Sequence, residues 1–189
     1  MTCKQILQWP DAALKDISTP VQSFDTELGE LVQDMYDTLN VHMGVGLAAP
    51  QIANFTRVVM VKCDIFGWKN EDPYEHDPDI WVLVNPKLEL MGEDVIWDEG
   101  CLSVPLVQGS IKRKSHVSVT YQDIEGKEHK VDASWPISGA LQHECDHLDG
   151  LVFLDRMGRV RAKKLKQKIH FAKVLKFREL KRKARKRPK

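Results

Sequence analysis

His143 and His147 stand four residues apart, with an acid directly after the first, in Gln142-His143-Glu144-Cys145-Asp146-His147. On a helix, positions i and i+4 share a face one turn apart, so both imidazoles can reach one metal ion. Glu144 lies beside the first imidazole. There it can take a proton from a water at such an ion and later deliver it to a leaving group, which is hydrolase chemistry. Two His residues at this spacing also occur as ordinary helix-surface pairs, and His-Glu-x-x-His arises by chance. The motif therefore needs partners elsewhere in the chain.

A catalytic ion of this kind takes a third protein ligand and keeps one position open. Downstream, the metzincin pattern would place a His at position 153, where this chain has Phe153. Asp155 is the other downstream candidate, but it lies close to the helix end. Upstream, Glu99-Gly100-Cys101-Leu102-Ser103-Val104-Pro105 sets Cys101 between a glycine and a short run ending in proline, which suits an exposed strand end. A lone cysteine is more often simply buried. A further segment, Gly44-Val45-Gly46-Leu47-Ala48-Ala49-Pro50-Gln51, favours the ligand reading. It lacks the lysine of a phosphate-binding loop. Its small residues let backbone approach a substrate closely, and Gln51 offers a neutral amide donor of the sort that stabilises an oxyanion.

The elements that must position these residues are readable from periodicity. Leu28, Leu31, Val32, Met35 and Leu39 recur every three or four residues and predict a helix over 26–42, with Asp25 or Ser23 as N-cap and Gly44-Val45-Gly46 as stop. Strands are expected over 57–63 and over 80–84, the latter ending before Asn85-Pro86. A hairpin is expected from 117–121 through a turn at Glu125-Gly126 to 129–133. Residues 67–79 read as a polar loop. The motif helix should begin near Pro136 and run through Leu148 to Gly150 as its cap. From Arg159 onward a basic helical tail carries a narrow stripe of Leu165, Ile169, Ala172 and Leu175, with 181–189 fraying. The fold class is α+β: mixed, mainly antiparallel strands around a central metal-binding helix, flanked by an N-terminal helix and a long C-terminal one.

A chain of 189 residues suits one well-buried domain, here 1–158, with 159–189 as the tail. Four scattered cysteines do not make a disulfide framework, and a reducing compartment keeps Cys101 available as the thiolate a metal binds. No apolar run spans a bilayer, and Met1 to Gln5 resemble no signal or transit segment, so no membrane partner is expected and the expected compartment is the cytoplasm. The net charge of +1 conceals a split. Residues 156–189 hold 17 of the 28 Lys and Arg but one of the 27 acids, giving +16, and the remainder holds 11 against 26, giving −15. A basic segment on an acidic body reads as a polyanion-binding tail, an unselective one, or one folded back on the body.

The three segments closely resemble the signature motifs of the peptide deformylase family: a Gly-x-Gly-Leu-Ala-Ala-x-Gln loop, a Glu-Gly-Cys-Leu-Ser segment and a Gln-His-Glu-x-Asp-His helix, in this order. The resemblance extends from Ile6-Leu7 and Pro10-Asp11 past the motif helix. It implies removal of the formyl group from the N-terminal formylmethionine of nascent peptides, releasing formate. By the same resemblance, Cys101, His143 and His147 bind one divalent metal, ferrous iron, with zinc, nickel or cobalt able to replace it. Glu144 would transfer the proton, while Gln51 and the backbone N–H of Leu102 would hold the oxyanion.

The resemblance further implies a substrate site near Val45, Gly46, Trp97, Glu99, Gly100, Pro136, Gly139 and Ala140. Here the chain departs from common members. Gly139 and Ala140 stand where bulkier aliphatic residues are frequent, which widens the methionine pocket unless Trp97 fills it. Gln108 stands where many bacterial members have Arg. The basic tail resembles the C-terminal helix that docks on the ribosome near the exit tunnel in bacterial deformylases, with ribosomal RNA as its partner. The enzyme is expected to be a monomer. Two rivals are a metal-dependent endopeptidase, which would use a different third ligand, and an RNA-binding module with a vestigial metal site, which would release no formate.

Overall fold

A computed structural model describes residues 3–68, 74 and 77–185. Its frame is a five-stranded antiparallel sheet in the order β1-β2-β3-β4-β5. These strands are β1 (Gly46–Ala48), β2 (Val58–Lys62), β3 (Ile80–Cys101), β4 (Val104–Gln122) and β5 (Glu128–Ser134). Among the described residues four α-helices accompany them: α1 (Thr26–Val41), α2 (Ile137–Leu148), α3 (Phe153–Arg156) and α4 (Arg159–Arg185). Among the described residues the one parallel contact is an isolated bridge between Thr19 and Thr56.

β2 shows why the sheet is covered on both sides. Its side chains alternate, so Val58 and Met60 join one core with α1, while Val59 and Val61 join a second core with α2. A strand apolar on both faces must be buried on both faces. α1 supplies Leu28, Leu31, Val32, Met35 and Leu39 to the first core, the residues its periodicity predicts. Full burial of a side chain such as Met35 or Leu39 stabilises by about 1.5–3 kcal/mol. Of the two cap candidates it is Asp25 that caps this helix, accepting from the N–H groups of Glu27 at 3.1 Å and Leu28 at 3.3 Å.

The hairpin of β3 and β4 is far longer than expected. β3 does not stop at Val84 but continues through Asn85-Pro86 to Cys101. A register shift between Val84 and Lys87 admits the proline, and Asn85 takes left-handed backbone with φ 53°. The Asn85 side chain secures the bulge, accepting from Val21 N–H at 2.8 Å and donating to Gln122 at 2.8 Å. The hairpin folds at Leu102-Ser103, so its tip carries Cys101. The expected turn into β5 is present, with Gly126 at φ 87°.

α2 packs against β1, β2, β4 and β5, and all 12 of its residues are buried. Pro136 is its N-cap and Asp149 its C-cap, one residue short of the expected Gly150. Gly150 follows in the left-handed region with φ 70°, and a Cβ there would lie 2.4 Å from the carbonyl oxygen of Lys15. Only glycine meets both demands.

α3 and the first half of α4 close a third core over the hairpin tip, through Phe153, Leu154 and Ile169 against Val104 and Ile111. The tail is therefore packed on the body over its first turns. Ala162 and Ile169 are buried, whereas Leu175, last in the expected stripe, is exposed. Lys166 lies over the Trp9 ring, and Lys173 donates to the Trp9 carbonyl. The helix continues to Arg185, beyond the fraying expected from Lys181, and 186–189 lie outside the described residues. So does most of the polar loop over 67–79.

Candidate metal centre and active site

α2 presents His143 and His147 on one face, and the hairpin tip brings Cys101 to them. Their three donor atoms lie within 4.8 Å of one another, and Cys101 Sγ is 3.3 Å from His147 Nε2. Ligands around one tetrahedral ion at about 2.0–2.3 Å stand roughly 3.5 Å apart, so this spacing fits a shared ion. One sulfur and two imidazole nitrogens suit a borderline transition metal such as zinc or ferrous iron. Asp155 is elsewhere. It lies on α3, bonded to Lys15 Nζ at 2.5 Å and to Val152 N–H at 3.1 Å. Phe153 belongs to the third core.

A buried ionic chain fixes the ligands. His143 Nδ1 lies 2.7 Å from Glu99 Oε2, which orients the ring and leaves Nε2 for the ion. Arg113 donates to both Glu99 oxygens, at 2.7 and 2.9 Å, and to Asp146 at 2.6 Å. Arg156 donates to Asp146 from the outer side at 2.5 Å. Two acids thus meet two guanidiniums, so no charge is buried alone. Burial works against ionisation of Glu99, yet its bonds to His143 and Arg113 hold it down at about 2. Burial pushes His147 well below the ordinary histidine range, whereas Cys101 and Glu99 hold His143 well above it against burial.

Gln142 is structural. It accepts from Lys114 N–H at 3.0 Å and donates to the Lys114 carbonyl at 2.8 Å, pinning α2 to β4. The Gln51 amide is oriented by its surroundings. Ala48 N–H can only donate, so the Gln51 oxygen faces it at 2.8 Å. Gln51 Nε2 then turns to Ser103 Oγ at 3.1 Å and Cys101 Sγ at 3.7 Å, with its amide hydrogens toward the metal face.

Glu144 is buried, and its Oε2 has no hydrogen-bond partner among the described residues. A buried carboxylate oxygen without a partner, on a side chain lining the same cavity as Cys101 and His143, is costly unless a ligand completes it. Burial pushes the Glu144 carboxyl up to about 7, with His143 pulling it down and Glu99 adding to the rise. Gly46 makes room for it, because a Cβ there would lie 2.4 Å from Glu144 Oε1.

A cavity of about 740 Å³ opens above these groups. Of the expected substrate residues, Val45, Gly46, Trp97, Glu99, Gly100 and Ala140 line it, as do Gln51, Leu102 and Gln108. Pro136 and Gly139 are not among its lining. The space that Gly139 leaves is taken by Trp135, whose ring atom Cζ3 lies 2.7 Å from where a Cβ would be. Trp135 braces Trp97 edge-on at 4.7 Å between centroids, and Trp97 Nε1 donates to Glu99 at 3.3 Å. Sequence reasoning missed Trp135, Arg113 and Asp146. The oversized Trp135 so close to a glycine was the available signal for the first. For the other two it was the need of buried acids for a cation.

Residues 3–163 match a family model described as Polypeptide deformylase. A peptide deformylase of Helicobacter hepaticus is 37% identical, over 87% of this chain and 88% of its own length. The crystal structure of a peptide deformylase from Legionella pneumophila is similar with a TM-score of 0.78 at 32% identity, covering 98% of this chain and 99% of its own. A Met-Ala-Ser-bound class I type b peptide deformylase from Acinetobacter baumannii is similar with a TM-score of 0.72 at 30% identity, covering 83% of this chain and 100% of its own. The chain belongs to the polypeptide deformylase family, metal-dependent hydrolases that remove N-formyl groups from new polypeptides.

Proposed function

We propose that Cys101, His143 and His147 hold one divalent ion, ferrous iron in the cell, and that Glu144 moves the proton in hydrolysis of formylmethionyl peptides. The observation that carries this reading is the convergence of three donors within 4.8 Å, with Glu144, whose Oε2 has no partner among the described residues, lining the same cavity as Cys101 and His143. When bound, the ion supplies Lewis acidity toward the formyl oxygen and the attacking water. Glu144 accepts a proton from that water and passes it to the amine as the C–N bond breaks, so formate and a free amino terminus leave. The Gln51 amide and the Leu102 N–H donate to the oxygen that gains charge. The methionine side chain lies against Val45, Trp97 and Ala140, with Gly46 and Gly100 leaving room for peptide backbone. Iron is favoured by the family resemblance, and zinc, nickel or cobalt would fit the same donors. Met-Ala-Ser bound to the Acinetobacter relative supports a peptide occupant for the cleft.

The test is formate release from formyl-Met-Ala-Ser by protein loaded anaerobically with iron, in parallel with zinc, nickel and cobalt. Release is expected, greatest with iron, and absence of release with every metal overturns the activity. Cys101→Ser should lose stoichiometric metal. A normal metal content in that variant would return the third ligand to another residue and favour an endopeptidase.

We infer further that the enzyme works as a cytoplasmic monomer whose basic helix docks on ribosomal RNA. Among the described residues no helix is long and apolar enough to cross a membrane. The division at residue 158 is one of role, catalytic body against docking tail, because α4 packs on the body through Ile169. Deleting 160–189 would strip that core, so the informative truncation begins at Lys176. Residues 176–189 carry nine Lys and Arg against Glu179. Their removal is expected to weaken co-sedimentation with ribosomes most at low salt, and to leave formate release nearly unchanged. Equal co-sedimentation of truncated and full-length protein at matched salt would sink the docking role.

A further inference from the structure

Two large apolar side chains stand at the rim of the cleft, and no core packing accounts for either of them. Met43 is 87% exposed and Leu106 72% exposed, yet both line the cavity that contains Cys101, His143 and Glu144. Both sit on left-handed backbone, with φ 50° and 76°. A bulky residue there is an outlier, and such outliers gather at ligand clamps. Met43 follows the last turn of α1, where its N–H bonds to the Asn40 carbonyl at 3.2 Å and that of Gly44 to Leu39 at 3.1 Å. This left-handed position after a helix usually holds glycine. Leu106 lies on β4, just past the hairpin turn and beside the register shift between Glu99 and Cys101. Glycine would relieve either position, and the chain uses glycine freely nearby at Gly44, Gly46 and Gly100.

The two rims approach each other. A Cβ at Gly44 would lie 2.9 Å from Leu102 Cδ1, so the loop bearing Met43 rests on the hairpin turn that leads to Leu106. The cleft lining also carries Asp98, Glu99 and Glu144, with no Lys or Arg among the described residues. A peptide whose formyl group reaches the metal donors must run out along this cavity. It meets apolar side chains at the mouth, with Asp98 beside them on the lining.

We propose that Met43 and Leu106 form an apolar clamp for the second and third residues of the formylated peptide, selecting apolar side chains there over small polar and acidic ones. The proposal rests on the formyl-peptide reading of the cleft. Apolar area at two rims would be buried by an apolar peptide and left wet by a polar one.

The test compares kcat/KM for formyl-Met-Leu-Leu, formyl-Met-Ala-Ser and formyl-Met-Asp-Asp. The wild-type enzyme should prefer Leu-Leu to Ala-Ser roughly tenfold, mainly through KM, with Asp-Asp last. Met43→Gly and Leu106→Gly should each shrink the Leu-Leu preference severalfold, and the double variant should bring it close to one. Asp-Asp should stay last, because Asp98 remains on the lining. Melting temperatures of both variants should hold or rise, since glycine suits the backbone. Should either variant misfold, Met43→Asn and Leu106→Asn, which tolerate the same backbone, replace them. No formate from any peptide would defeat the deformylase reading itself. Formate from Ala-Ser with no Leu-Leu preference, or a preference that survives in the double variant, would overturn the clamp alone.

Discussion

Glu144→Gln is expected to lower formate release by about 10²–10⁴-fold while leaving metal content and fold intact. The two side chains are nearly isosteric, and the buried site keeps its shape. What is lost is the proton acceptor. An amide costs less to bury than a carboxylate, so thermal stability should hold or rise. The pH profile carries a second signature. Burial raises the Glu144 carboxyl to about 7, so the proton-accepting form predominates above that pH and disappears below it. A cation bound nearby lowers the value. The acid limb of kcat/KM should therefore fall at or below about pH 7. The residual rate of the variant should lack it. Activity within tenfold of wild type would remove Glu144 from the proton path.

Arg113→Met should be the costliest single change away from the reacting atoms. It leaves Glu99 and Asp146 buried without the guanidinium that bridges them. Breaking such a buried pair costs about 3–5 kcal/mol, measurable by urea unfolding. Glu99 would also lose the anchor through which it orients His143, so metal affinity should drop by about 10–100-fold in a competition titration. Pairing the change with Glu99→Gln should recover part of the stability, because the stranded charge is gone. Arg156→Ala is the contrasting case. Its side chain is 47% exposed and water can replace it, so the loss should stay within about 1 kcal/mol. A loss that small for Arg113→Met would mean the chain is solvated and does not position the ligand.

The His143–His147 pair, α1, α2 and the core strand β2 were legible in the sequence from short-range patterns, whereas Cys101 was reached only through the other motif segments and the resemblance they carry. The β3–β4 hairpin was not. Asn85-Pro86 and Gly92 interrupt its alternation, and three register shifts reset which face each side chain takes. Arg113 was hidden for another reason. It lies in Lys112-Arg113-Lys114, which reads as a solvated charge run, and only the acids brought to it by β3 and α2 set it apart. Sequence alone leaves the space beside Gly139 either open to substrate or filled by Trp97, and it is the Trp135 ring that takes it. The tail stripe was correct in composition, but periodicity could not say that Ile169 finds a core and Leu175 does not.

The complete enclosure of α2 divides the molecule by how freely it can change. Packing constrains every residue of that helix, and in the proposed reading His143, Glu144 and His147 answer also to the ion or the proton path, so drift there is penalised more than once. The rim at Met43, Leu106 and Gln108 supports little of the interior. New preferences for the substrate chain can accumulate there one substitution at a time, without disturbing the chemistry beneath them.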